Sequence, residues 1–299
     1  MLRDTMNAVD FILNVVGILL WLGWRAMGAD LLAGATPATL AGTVRRTKPR
    51  NFQRGQFVFF LAILLLVRAL LYVAIGPALN WVPKLDLGVI HLPFRSHAFP
   101  EQLVFSFLSF ARALVIFHFW LMILAAINSR VANPDPVHRL ILLQLGRAAM
   151  LPTWLQLILP VFAVALLWLC ALPLVTRMEM VPWPSSRFNL ALQCGLVGAC
   201  LYLSLAALVP LFLLLHWISS YVYLGSSRMW DFISTTSINL LRPLAGLRIG
   251  RLDLAPLAGI VIVLAIGNML AIVRWIAGWR WFSGSGFSRF IEQMILWPR

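Results

Sequence analysis

The sequence predicts an all-α, polytopic integral membrane protein with about six transmembrane helices. Three observations carry this. The 299-residue chain is 61% hydrophobic. Only 11% of it is charged, against about 25% in soluble domains. Its apolar residues gather in six runs, each near the roughly 20 residues that cross a bilayer as a helix. The runs are 9–27, 57–78, 103–127, 154–175, 190–223 and 254–275.

The first run is expected to remain as a span. Asp4 and Asp10 stand ahead of its apolar part, and Gly23-Trp24-Arg25 follows it where a signal peptide would carry small residues. The fifth run is too long for one upright span, so either Pro210 kinks it or its end lies along the interface. Trp275, Trp279 and Trp281, interleaved with Arg274 and Arg280, read as an interfacial anchor closing the sixth.

The formal net charge of +14 does not point to nucleic acid. The basic residues sit between apolar runs, where the positive-inside bias puts them. Arg25, Arg45, Arg46, Lys48, Arg50 and Arg54 follow the first run. Arg130, Arg139 and Arg147 follow the third, and Arg228, Arg242, Arg248 and Arg251 the fifth. These loops, 25–55, 128–153 and 225–253, are therefore expected on the cytoplasmic side of a bacterial inner membrane, with both termini outside. Cys170, Cys194 and Cys200 all lie inside apolar runs and form no Cys-x-x-Cys pair. They read as small hydrophobes, without a zinc site or a disulfide framework.

Sliding the chain against itself by 98 residues aligns His118 with His216, Ser129-Arg130 with Ser227-Arg228 and Leu142-Leu143 with Leu240-Leu241. The organisation this suggests is a two-span region with a basic loop at 1–95, a diverged two-span unit at 100–175, a second such unit at 190–282 and an amphipathic tail at 283–299. Short amphipathic helices would lie at the interface between the spans of each unit.

The stretch "NLLRPLAGLRIGRLDLAP", 239–256, concentrates charge at the edge of the sixth run. Its plain reading is an interfacial segment, a turn, and a span capped by Asp253, whose carboxylate would accept from free backbone N–H groups. Its sharper reading makes Arg242, Arg248, Arg251 and Asp253 a docking site for anionic lipid or a partner protein. The motif resembles the signature of the YggT (YlmG) family through Leu241-Arg242-Pro243, Asp253 and Ala255-Pro256, most clearly over 190–275. It departs in the two residues that separate Gly250 from Asp253 and in the shorter stretch after Pro243. "LLLVRALL" at 64–71 is similar to the first span of the family unit. The resemblance implies units of two spans and no defined chemistry; relatives are associated with osmotic tolerance and ion uptake, cell division and plastid cytochrome assembly.

Four intramembrane polar residues stand out. Arg68 and Arg112 fall well inside runs two and three, where an arginine costs about 2.5–3.5 kcal/mol on insertion scales. No acidic residue occupies the centre of any span. Asn14, Gln156, Gln193, Asn268, backbone carbonyls, lipid phosphates or a partner are left to compensate. Either the arginines snorkel to an interface or they line an anion-attracting cavity. His118 and His216 sit beside aromatic residues and serve either as polar contacts between helices or as facing haem ligands. No Cys-x-x-Cys-His accompanies them, and no cofactor is expected. Nucleophile–base pairs, HExxH, Walker and GxGxxG patterns are absent, so no enzyme is expected. The expected function is a non-catalytic membrane scaffold or assembly protein that docks anionic headgroups, a membrane-protein partner or a second copy of itself. The alternative is a channel or transporter subunit.

Overall fold

A backbone in hydrocarbon has no water to bond, so an apolar run must satisfy its own N–H and C=O groups, and a helix does so. The computed structural model describes residues 2–33 and 54–268, apart from 80, 89, 130, 132–134, 182, 185, 223–226, 245–247, 250 and 251. The basic loop at 34–53, the tryptophan anchor, the tail at 283–299 and Arg251 thus lie outside the described residues.

The helices are α1 (Leu2–Ala33), α2 (Arg54–Ile75), α3 (Phe99–Ile127), α4 (Pro136–Leu145), α5 (Thr153–Arg177), α6 (Arg187–Ala199), α7 (Leu205–Tyr221), α8 (Arg228–Leu241) and α9 (Ala255–Gly267). Between them lie short strands, β1 (Lys84–Asp86), β2 (His91–Pro93), β3 (Arg248–Ile249) and β4 (Leu252–Asp253). Five segments are long and apolar enough to cross a membrane: Thr5–Arg25, Gly55–Ile75, Phe99–Ile127, Thr153–Arg177 and Arg187–Tyr221. They match the first five sequence runs and fit a multi-pass membrane protein. In the sixth run, α9 is a shorter apolar helix.

Large apolar side chains project outward along these helices, among them Phe11, Phe59, Phe162, Leu166 and Val261. In water such a surface would aggregate; against lipid it is the expected exterior. The break in the fifth run is not at Pro210, through which α7 continues. It is a 3-10 turn at Cys200–Ser204. There the Ser204 hydroxyl donates to the Leu201 carbonyl at 2.7 Å and accepts from the Trp120 indole at 3.0 Å, so a side chain pins the tightened turn.

The chain divides into two compact units. The first comprises Met1–Leu85 and Pro93–Leu114, and the second Asp86–Leu92 and Val115–Arg299, so α3 supplies residues to both.

In the first unit α1 and α2 pack side by side. Gly17 permits the close approach of α3's Phe110: a Cβ there would lie 2.7 Å from the Phe110 ring. Tyr72, Trp81, Phe94 and Phe105 form an aromatic cluster with ring centroids 5.0–6.1 Å apart, mostly tilted or edge-on as ring quadrupoles favour.

In the second unit α5 packs on α6, and α7 on both α8 and α9. The α4 and α8 helices pack on each other, and one apolar cluster joins Leu124, Ile141, Leu145, Leu208 and Phe232 from α3, α4, α7 and α8. The helices α4 and α8 therefore adjoin within this unit. Helix α8 packs one face on protein. It buries a mixed face of Phe232, Ile233, Thr236, Ser237 and Leu241 against its neighbours, and only Met229 and Ile238 leave large apolar groups outward.

Candidate functional site

The most concentrated polar chemistry lies inside the first unit. Each of three helices contributes residues one turn apart, which places them on one face. They are Asp10 and Asn14 of α1, Arg68 and Tyr72 of α2, and Phe105 and Ser109 of α3. The Arg68 guanidinium is at the centre. Its Nε donates to the Tyr72 hydroxyl at 3.1 Å, and its two terminal nitrogens to Asn14 Oδ1 at 2.9 Å and Ser109 Oγ at 2.8 Å. It also makes an ion pair with Asp10 Oδ1.

Asp10 is used as fully. Oδ1 accepts from Arg68 and from the Tyr72 hydroxyl at 2.7 Å. Oδ2 accepts from Asn14 Nδ2 and Ser109 Oγ, both at 3.2 Å. The two oxygens thus engage about four partners, the capacity of a carboxylate. A Tyr72 and a Phe105 ring lie 5.6 and 5.8 Å from the guanidinium carbon. Trp81 packs edge-on against both of these rings.

Charge and hydrogen bonding close on themselves here. The side chain of Arg68 is 1% exposed and that of Asp10 19%, so Arg68 does not snorkel. Nor does it present an unbalanced charge to an anion, because Asp10 balances it. The sequence reading named Asn14 correctly as a compensating partner and missed Asp10, taking it as lying ahead of the span. Helix α1 starts at Leu2, so Asp10 stands more than two turns inside it. The signal was present: an acidic residue four positions before Asn14 at the start of an apolar run, in a chain with only 10 acidic residues.

A second buried polar cluster lies in the second unit. Asn128 Nδ2 donates to Thr236 Oγ1 at 2.9 Å and to the Leu124 carbonyl at 3.1 Å. Asn239 Nδ2 donates to Asn128 Oδ1 at 2.9 Å, and Ser237 Oγ to the Phe212 carbonyl at 3.1 Å. These bonds tie α8 to α3 and α7. Gln156, considered as a partner for an intramembrane arginine, instead donates to the carbonyls of Ala149 and Leu151 at 3.1 and 2.9 Å, closing the turn before α5. Asn268 bonds locally to the Leu264 carbonyl.

Arg112 is exposed on α3, three residues beyond Ser109. His118 is half-buried, its ring edge-on to Phe117 at 5.5 Å, and His216 is half-buried on α7. Arg242 is exposed in a 3-10 turn after α8. The β3 and β4 strands pair antiparallel, with Arg248 opposite Asp253 and Ile249 opposite Leu252. The expected cap shifts by one position. Leu254 occupies the N-cap of α9, while Asp253 belongs to β4 and faces Arg248 across the hairpin. Pro256 stands in the first turn of α9, as expected, where it costs no hydrogen bond.

Among the described residues no group of three or more His, Cys, Asp or Glu side chains is placed to hold a metal ion. Comparison of the chain with protein-family models, curated proteins and solved structures finds no match.

Proposed function

We propose that this protein is a non-catalytic membrane scaffold, with polar residues inside its spans that hold helices together and basic residues at one end that engage anionic headgroups. The observation that carries this reading is the closed Asp10–Arg68 network. A buried arginine in a transmembrane segment is by default a candidate for a substrate path, and here its charge is matched and its donors are engaged by side chains of the same unit.

The docking face of this reading comprises Arg242, Arg248, Arg251 and Asp253, of which Arg248 and Asp253 stand at paired positions of the β3–β4 hairpin. Asp253 would orient its arginines rather than cap a helix. Six spans, two related two-span units, an inner-membrane location with these loops cytoplasmic, and kinship with the YggT family belong to the same proposal. The order of parts supports the two units. In each, a short helix leads into a 3-10 turn and then an apolar helix, with the β3–β4 hairpin interposed in the second. The test is lipid and partner retention. Arg242→Ala with Arg251→Ala should strip anionic phospholipid and co-purifying protein while the chain stays inserted and monodisperse. Retention of both would end the docking claim.

A further inference from the structure

Helix α1 is the least apolar of the five long helices, and the least of it is covered by protein. It also brings a carboxylate into an apolar run. Its ties to the rest of the first unit include polar bonds and close glycine contacts. Among them are Asp10 and Asn14 on Arg68 and Ser109, Asn7 on the Trp81 indole at 3.4 Å, and the close glycine contacts at Gly17 and Gly23. Gly23 lies against Phe57 near the start of α2, and Asp10 reaches Arg68 near its end, so the two helices run antiparallel as a hairpin.

We propose that α1 is a dependent span: it enters and stays in the bilayer only as the partner of α2, with Arg68 as the counter-charge that admits Asp10. The reasoning is a comparison of states. Alone in lipid, α1 carries an unmatched carboxylate and α2 an unmatched guanidinium. Side by side, Asp10 and Arg68 cancel each other's charge, and Asn14, Tyr72 and Ser109 supply the remaining hydrogen bonds. Each helix thus lowers the cost that the other's buried charge adds to its insertion. This makes the order of assembly a property of the first unit: α1 is completed as a span after α2 is available, although it precedes α2 in the chain.

The test is the sidedness of an epitope fused to the N-terminus of the full chain, read by protease protection, with carbonate extraction reporting how much chain is in the membrane. Arg68→Met leaves Asp10 unmatched, and the epitope should move to the opposite side or split between both in at least half of the molecules. Adding Asp10→Leu should restore one-sided protection, since α1 then has no charge to match. The exchange Asp10→Arg with Arg68→Asp should retain it as well. Unchanged sidedness in Arg68→Met overturns the proposal. It is equally overturned if Arg68→Met with Asp10→Leu is as mis-sided as Arg68→Met, or is lost from the membrane with it, because Arg68 would then act through packing alone.

Discussion

Asn128 and Thr236, 108 positions apart in the chain, meet at 2.9 Å with both side chains buried. Asn239 donates to the other end of the Asn128 amide, so one asparagine just past the end of α3 reads two positions of α8. Apolar contact gives helices in lipid little reason to associate. A small set of satisfied polar contacts therefore does much to decide which helices adjoin.

Removing Asn128 tests that role. Asn128→Ala leaves Thr236 and Asn239 short of a partner and should cost about 1–3 kcal/mol, measured as a lower thermal midpoint in detergent. Thr236→Val should cost less. The coupling between the two should fall near 0.6 kcal/mol, the mean for intramembrane pairs, and no higher than about 1.7. Strict additivity would indicate that the bond contributes nothing.

Two glycines of α6 form a matched control. A Cβ on Gly198 would lie 2.5 Å from the Val161 carbonyl oxygen on α5, whereas one on Gly195 would meet nothing within 4 Å. Gly198→Ala should therefore destabilise the α5–α6 pair by about 1–3 kcal/mol. Gly195→Ala should be neutral or stabilising by up to about 1 kcal/mol, since alanine is the better helix former. Equal melting of the two variants would contradict this packing.

His138 gives the second unit a pH dependence. It is buried on α4, and burial, outweighing the opposing pull of Asp135, holds its pKa below the ordinary 6.5. An unfolded chain takes up a proton there more readily than the folded one. Stability is thus complete above pH 6.5 and declines as the pH falls below it. Melting at pH 5 should come earlier than at pH 7.5, and His138→Gln should reduce the difference. A midpoint independent of pH in the wild type would contradict this.

Packing of α4 on α8 predicts shared sidedness. Met150→Cys and Met229→Cys, both at exposed positions, in a chain lacking its three native thiols should be labelled by an impermeant maleimide from the same side. In the proposed topology that side is the cytoplasm. Labelling from opposite sides would break the second unit as described.

The span pattern was legible in the sequence because it depends only on run length and the absence of charge. Partners were not, because they depend on which helices adjoin. Asp10 lay within reach of the reading, yet its use depended on α1 starting at Leu2 and on α2 bringing Arg68 alongside. Thr236, Ser237 and Asn239 carried no signal in the sequence, and they form a polar seam because Asn128 and the Phe212 carbonyl stand opposite. Asp253 had the right residue type for a cap, but a two-residue β-pairing with the Arg248 position claimed its backbone first.

The central claim is that Arg68 is matched from within and serves architecture instead of transport. Ion flux through purified wild-type protein in liposomes, measured for chloride and for potassium, tests it most directly. The account predicts flux no greater than in protein-free vesicles for both ions. Selective, saturable flux of either ion would contradict it and make the chain a channel or transporter subunit.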